Sequence, residues 1–323
     1  MPFARLARAT TPTARIGLGL AAVGRPAYIT PHRDRDLPAG RGEEALRERT
    51  RELLDAAYAQ GVRYVDVARS YGRSEEFLAG WLAARPDATD VVVGSKWGYT
   101  YTGGWSTEAG EHEVKDHSLA AFERQLAEST ALLGDRIDLY QIHSVTPESP
   151  ALGDRELHAR LAGLADRGVT AGLSVSGPAQ ADTIRAALAV TVDGEPLFRT
   201  VQATYNVLET SAERALAEAH DAGVTVIVKE AVANGRLAAP EAPAVLQEIA
   251  ADAGTGADAV ALAFVLSRPW AGVVLSGAAT AGQLTGNLHA LVPDLGEAVT
   301  DRLSALVEEP EAYWRYRSGL PWN

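Results

Sequence analysis

The sequence predicts a (β/α)8 barrel, and three observations lead there. Short apolar runs alternate with amphipathic segments from one end of the chain to the other. Several of those runs are continuous in Val, Ile and Leu, as expected for parallel strands covered on both faces. Glycines sit just past several amphipathic segments, where a helix ends on a left-handed residue. Strand then helix, repeated eight times, is the pattern of a closed parallel barrel.

The elements follow in order. "RIGLGL" (15–20) is the first strand. Its glycines, with Gly24, do not match G-x-G-x-x-G, and Pro26 and Pro31 preclude an immediate helix. The dinucleotide loop of an open doubly wound sheet is therefore not expected. A helix over 43–60 stops at Gly61 and leads to "YVDV" (64–67), then to a helix over 74–84. "VVVGSK" (91–96) precedes an aromatic-rich insertion, 97–117, and a helix over 118–133 that stops at Gly134. "DLYQIH" (138–143), a helix over 155–167 stopped by Gly168, and "AGLSVS" (171–176) come next. Helices over 179–189 and 211–222 flank "VQATY" (201–205), and Gly223 marks the return into "VTVIVK" (224–229). A helix over 257–267, the strand "GVVLSG" (272–277) and a helix over 281–290 complete the series. The tail 308–323 reads as irregular, and residues 1–323 as one barrel domain with insertion and tail near a substrate pocket.

Composition narrows the function classes. The chain has 323 residues, 46% apolar and 22% charged, with a net charge of −12. That charge argues against nucleic-acid binding, which rests on phosphate neutralisation. With no Cys, thiolate metal sites and Cys nucleophiles are excluded. No apolar run reaches the ~18 residues of a membrane span. The start, "MPFARLARATTPTAR", is Arg-rich and acid-free, and is expected to cover one end of the fold. The expected location is the cytoplasm, and oligomeric state does not follow from the sequence.

In a barrel the carboxyl ends of the strands converge on one mouth. Asp66 ends the second strand, with Tyr71 in its loop; Lys96 ends the third and His143 the fourth. A lone strand-end His is usually a satisfied core residue, and a lone Lys usually reaches solvent. Four polar groups from adjacent strands make a working unit instead. Bringing a tyrosine from pKa ~10 to neutrality requires ~4 kcal/mol. An ammonium ~4 Å away at an effective dielectric near 20 supplies about that much. The carboxylate keeps the ammonium charged. A neutral imidazole can orient a carbonyl while the phenol protonates its oxygen.

These residues resemble the tetrad of the aldo-keto reductases. "VDVARSYGRSEEFLAGWL" is similar to that family's aspartate–tyrosine segment and "LLGDRIDLYQIH" to its histidine segment. The resemblance covers essentially the whole chain. It implies a barrel that binds NADPH across its mouth, with NADH as the other candidate, and reduces aldehydes or ketones. Asp66, Tyr71, Lys96 and His143 would be catalytic.

The same resemblance implies cofactor contacts at Gly19, Ser174, Gln202, Lys229, Asn234, Gly235, Arg236, Ser276, Gly277, Thr280, Gln283 and Asn287. The chain departs from the family at Val175, where Asn is usual, at Lys229, where an aromatic stacks on the nicotinamide, and at Gly286, where an acid precedes the Asn. No cation marks a 2′-phosphate site in 276–287, which leaves Arg236 to compensate. Loop aromatics are candidate substrate contacts, chiefly Tyr28, Trp97, Tyr99, Trp105 and Trp314, with Tyr101, Tyr205 and Trp322 beside them. A sugar, a secondary metabolite or an aryl aldehyde suits such a wall. His112 and His117 lack metal-ligand spacing, so no metal is expected. Two rival readings exist. A metal-dependent barrel hydrolase would need a His pair that the first strand lacks. A nucleotide-binding sensor with weak turnover is the other.

Overall fold

The computed structural model describes residues 12–30, 35–37, 41–238, 240–289 and 295–323. The basic start up to residue 11, Pro31 and the expected helix end at 290 lie outside the described residues. Eight parallel strands close a barrel: β1 Ile16–Gly19, β2 Tyr64–Asp66, β3 Val92–Trp97, β4 Ile137–Val145, β5 Thr170–Val175, β6 Thr200–Thr204, β7 Thr225–Lys229 and β8 Val273–Ser276. Each strand pairs with its neighbours in sequence, and β8 closes on β1. The expected (β/α)8 fold is what the chain adopts.

Around the barrel run α1 Glu43–Ala59, α2 Ser74–Ala84, α3 Leu119–Leu133, α4 Arg155–Ala162, α5 Gln180–Leu188, α6 Glu213–Asp221, α7 Ala244–Asp252, α8 Ala257–Leu266, α9 Ala281–Leu288, α10 Glu297–Ser304 and α11 Pro310–Ser318. Three of these, α7, α10 and α11, were not expected from the sequence. All three are short. α7 follows a Pro-rich stretch that reads as loop, yet it buries Leu246, Ile249 and Ala250 on one face. α11 starts on Pro310, whose fixed φ suits a first turn, and buries Tyr313 and Trp314. The segment 163–167, expected as α-helix, is a 3-10 turn. The insertion forms an antiparallel ribbon, Tyr99–Tyr101 against Glu113–Lys115. Among the described residues no single helix is long and apolar enough to cross a membrane.

Strand alternation decides what reaches the mouth. On β3 it sends Val92, Gly94 and Lys96 into the barrel, and Val93, Ser95 and Trp97 toward the helices. Trp97 is fully buried against Phe122 of α3, with ring centroids 5.1 Å apart. The barrel interior holds a layer of Tyr64, Val92, Leu139, Ile227, Val273 and Leu275 beneath the polar mouth.

The loop that presents Tyr71 is fastened on two sides. Glu75 of α2 is 1% exposed, and its carboxylate accepts from Ser95 (2.6 Å), Ser129 (2.7 Å) and Arg69 (2.6 Å). That many donors stabilise an otherwise costly buried charge. On the other side the loop abuts the segment after β1, where the Arg73 amide donates to the Gly24 carbonyl at 2.8 Å. Gly72 has φ 58°, and a Cβ there would press on the Gly24 carbonyl and lie 2.8 Å from Arg25 Cβ. Gly72→Ala therefore combines left-handed strain with a backbone clash, and is expected to cost roughly 2–4 kcal/mol. Urea denaturation checks this, and an unchanged midpoint would show that the two loops separate freely.

Candidate active site

Asp66 and Lys96 meet at the mouth as a buried ion pair, 2% and 0% exposed. The Lys96 ammonium also donates to the Val67 carbonyl at 3.0 Å. The second Asp66 oxygen accepts from the Tyr64 hydroxyl and the Gln202 amide, each at 2.9 Å. Gly94 leaves room for the Tyr64 hydroxyl, which any side chain at 94 would strike. The Lys96 ammonium stands 4.8 Å from the Tyr71 ring centroid. His143 meets the same ring edge-on at 5.4 Å. The four residues named from strand ends thus converge.

His143 sits where β4 bulges against β5, between Ile142 and Val145. Ser144 has φ 54°, and its amide donates to Ser174 Oγ at 2.7 Å. Bulges re-aim side chains beside active sites, and this one turns the imidazole into the mouth. Its Nδ1 lies 3.4 Å from Ser70 Oγ. Burial, then Lys96, Arg25 and Lys229, hold His143 well below the usual histidine range, so the imidazole is neutral. His117, whose Nε2 meets the His143 carbonyl at 2.8 Å, is pushed down to about 4, mainly by burial.

One expectation is corrected. Lys96 and Asp66 were expected to lower the Tyr71 pKa, yet burial and then the Asp66 carboxylate push the phenol well above 10, with Arg25 opposing. The ammonium is spent on Asp66, so the pair presents the phenol with little net charge. Tyr71 is therefore a protonated acid at rest.

Sequence reasoning missed Arg25, Glu230 and Arg317. Arg25 is 2% exposed; its guanidinium donates to the Ser70 carbonyl and to Glu113 on the ribbon, each at 2.8 Å. It lies 5.2 Å from the ring centroids of both Tyr28 and Tyr71, and 4.6 Å from that of Trp322. Glu230, at φ 57°, is gripped by Arg317 of α11 through contacts of 2.6–3.1 Å. Burial opposes its ionisation, but Arg317 and Lys229 hold it down at about 2. The signal available for Glu230 was its place directly after a strand-end Lys. Nothing local marked Arg317.

A cavity of about 540 Å³ joins these groups to a second polar cluster. Tyr71, Tyr99, His143 and Gln202 line one end; Ser276, Gly277, Gln283 and Asn287 line the other, with Gly19, Lys229, Asn234 and Gly235 along the walls. At the far end Ser276 Oγ donates to Asn287 Oδ1 and Asn287 Nδ2 to Asp258 Oδ2, each at 2.7 Å. A side chain on Gly277 would meet nothing there. This long cleft, polar at both ends, fits an extended dinucleotide.

Other expected site residues lie outside the cavity lining. Ser174 is fully buried and supports the bulge. Thr280 caps α9 by accepting from the Gln283 amide. Arg236 is paired with Glu308, so it is no free cation for a 2′-phosphate. Trp97 faces the helices, Trp105 donates to the Arg41 carbonyl at 3.1 Å, and Trp314 packs on Tyr313. Tyr205 packs between Phe264 and Trp270. Tyr28, Tyr99 and Trp322 do line the cavity. His112 stacks on Trp322 at 4.5 Å, and His117 bonds Ser149.

Comparison with known proteins agrees with this architecture. "Protein tas" of Escherichia coli (strain K12) is 25% identical over 82% of the chain and 91% of its own length. "Aldo-keto reductase str7" of Strobilurus tenacellus is 34% identical over 100 residues, which are 31% of this chain and 26% of that protein. An aldo-keto reductase from Bacillus halodurans, in its holo form, superposes with TM-score 0.68 at 21% identity, over 91% of this chain and 92% of that one. The glycerol dehydrogenase of Gluconobacter oxydans gives 0.68 at 22%, with 90% of each chain covered. The model of the aldo/keto reductase family matches residues 15–308, and the chain belongs to that oxidoreductase family.

Proposed function

We propose that the chain interconverts an aldehyde or ketone and its alcohol with a nicotinamide nucleotide, and that Tyr71 is the proton donor. One observation carries this reading: Tyr71, His143 and the Lys96–Asp66 pair converge at one end of a cleft that suits a dinucleotide. A bound reduced nicotinamide would supply the hydride to the carbonyl carbon. Neutral His143 orients the carbonyl by donating one hydrogen bond. Tyr71 then passes its proton to the oxygen, and Lys96 and Arg25 face the phenolate that forms. A phenol held above 10 is protonated at neutral pH, the state that proton donation to a carbonyl oxygen requires. The aromatic wall of Tyr28, Tyr99 and Trp322, with charged groups between, suits a ring-bearing carbonyl compound such as a sugar or secondary metabolite. NADPH is the expected nucleotide on family grounds, and NADH the one to compare with it.

Tyr71→Phe is expected to lower aldehyde reduction by roughly 10²–10⁴-fold, as loss of a general acid does. Nucleotide affinity, read by fluorescence titration with NADPH and NADH, should stay within about threefold. Near-normal turnover in that variant would rule out the assigned role; tight binding by wild type with no turnover across a broad carbonyl panel would instead indicate a nucleotide sensor.

Acid stability offers a separate check. His143 and His117 are held neutral in the folded protein but take up a proton near pH 6.5 when unfolded. Their contribution is therefore present above pH ~6.5 and is lost as pH falls from there, for His117 toward about 4. Unfolding free energy should drop by about 1 kcal/mol per histidine between pH 7.5 and 5.5. His117→Asn should flatten part of that slope; an unaltered slope would count against the assignment.

A further inference from the structure

We propose that Lys229 makes the cavity bind the reduced nicotinamide more tightly than the oxidised one, and that raising the pH releases this preference. The inference rests on the nicotinamide reading above and adds which redox form the site selects. The two forms differ in charge. The oxidised ring carries one positive charge, and accepting a hydride (a proton with two electrons) makes it neutral. Hydride has to reach the carbon whose oxygen meets Tyr71 and His143, so the ring must lie at that end of the cavity.

Lys229 lines this cavity as the last residue of β7, in register with Thr204 of β6, and its side chain is 14% exposed. Its ammonium donates to Thr204 Oγ1 at 2.9 Å. The charges that face it come from several elements. Arg317 on α11 and Glu230 after β7 form a bidentate pair, and Lys96 on β3 is paired with Asp66 on β2. His143 on β4 is neutral, and the Trp314 ring centroid lies 5.8 Å away. Both nearby ion pairs cancel internally. Glu230 already serves Arg317 and stands 4.0 Å from the Lys229 ammonium. What remains at the reacting end is the Lys229 charge, which repels a cationic ring and leaves a neutral one untouched.

Burial is the main reason the Lys229 ammonium is brought down to about 8, with Arg317 and Lys96 adding to it against Glu230. Below that pH the charge is present and the oxidised form is penalised. Above it the penalty lifts.

The test is calorimetric titration of the protein with NADP⁺ and with NADPH at pH 7 and pH 9.5, for wild type, Lys229→Arg and Lys229→Met. The ratio of the two Kd values is the readout, since the shared phosphates cancel in it. In wild type the ratio should favour NADPH at pH 7 and fall roughly tenfold by pH 9.5. Lys229→Arg, charged throughout, should keep the higher ratio at both pH values, and Lys229→Met the lower one at both. Thermal melting confirms that each variant is folded. A ratio independent of pH and shared by wild type and Lys229→Met would overturn the inference while leaving the nicotinamide reading intact. Binding of neither nucleotide would overturn both.

Discussion

The structure of the mouth depends on the buried Asp66–Lys96 pair. Two charges at 2% and 0% exposure cost several kcal/mol each to desolvate, and their attraction offsets this only when the remaining valences are filled. Here they are. Tyr64 and Gln202 serve the second Asp66 oxygen, and the Val67 carbonyl takes another ammonium proton. The pair therefore links β2, β3 and β6 across the barrel. It also explains Gly94, since the Tyr64 hydroxyl occupies the space a side chain would need. Removing one partner would strand the other as an uncompensated charge, so pair, phenol, amide and glycine form one unit.

Pairing also governs the Tyr71 phenol. A free ammonium beside Tyr71 would pull its proton off, but an ammonium bound to a carboxylate presents almost no net field. Burial then decides, and it favours the neutral phenol. Arg25 is treated in the same way, with Glu113 as its carboxylate, and Arg317 with Glu230. Lys229 apart, the mouth is thus full of charge yet nearly neutral over short distances. A low-dielectric site with balanced charge can respond strongly to charge that develops during reaction.

How much of this was legible in the sequence follows from the range of each interaction. The eight strands were legible because continuous Val/Ile/Leu runs are a local consequence of burial on both faces. Asp66, Tyr71, Lys96 and His143 were legible because a barrel sends strand ends to one place, whatever their separation in sequence. Trp97 was misplaced by one residue of alternation: Lys96 points to the mouth, so its neighbour must point to the helices. Arg25 and Arg317 were missed because their roles depend on loop and tail packing, which no local pattern encodes. The direction of the Tyr71 shift was misjudged because pairwise electrostatics from sequence supplied the ammonium without subtracting its partner.

The two ends of the chain's irregular structure meet over the site. The Tyr28 amide donates to the Asn323 carbonyl at 3.1 Å, and the Asn323 amide returns the bond to Tyr28 at 3.2 Å. The Arg25 guanidinium lies 4.6 Å from the Trp322 ring centroid and 5.2 Å from that of Tyr71. Arg317 reaches back from α11 to the residue directly after β7. The tail is therefore fastened by an arginine–carboxylate pair, an arginine–aromatic contact and two backbone hydrogen bonds, beside the buried Tyr313 and Trp314 of α11. Such polar contacts are directional. They set where Trp322 and Arg317 stand in the cavity wall. A wall held this way can change its residues while the Asp66–Lys96 unit beneath it stays as it is, which separates what the site recognises from what it does.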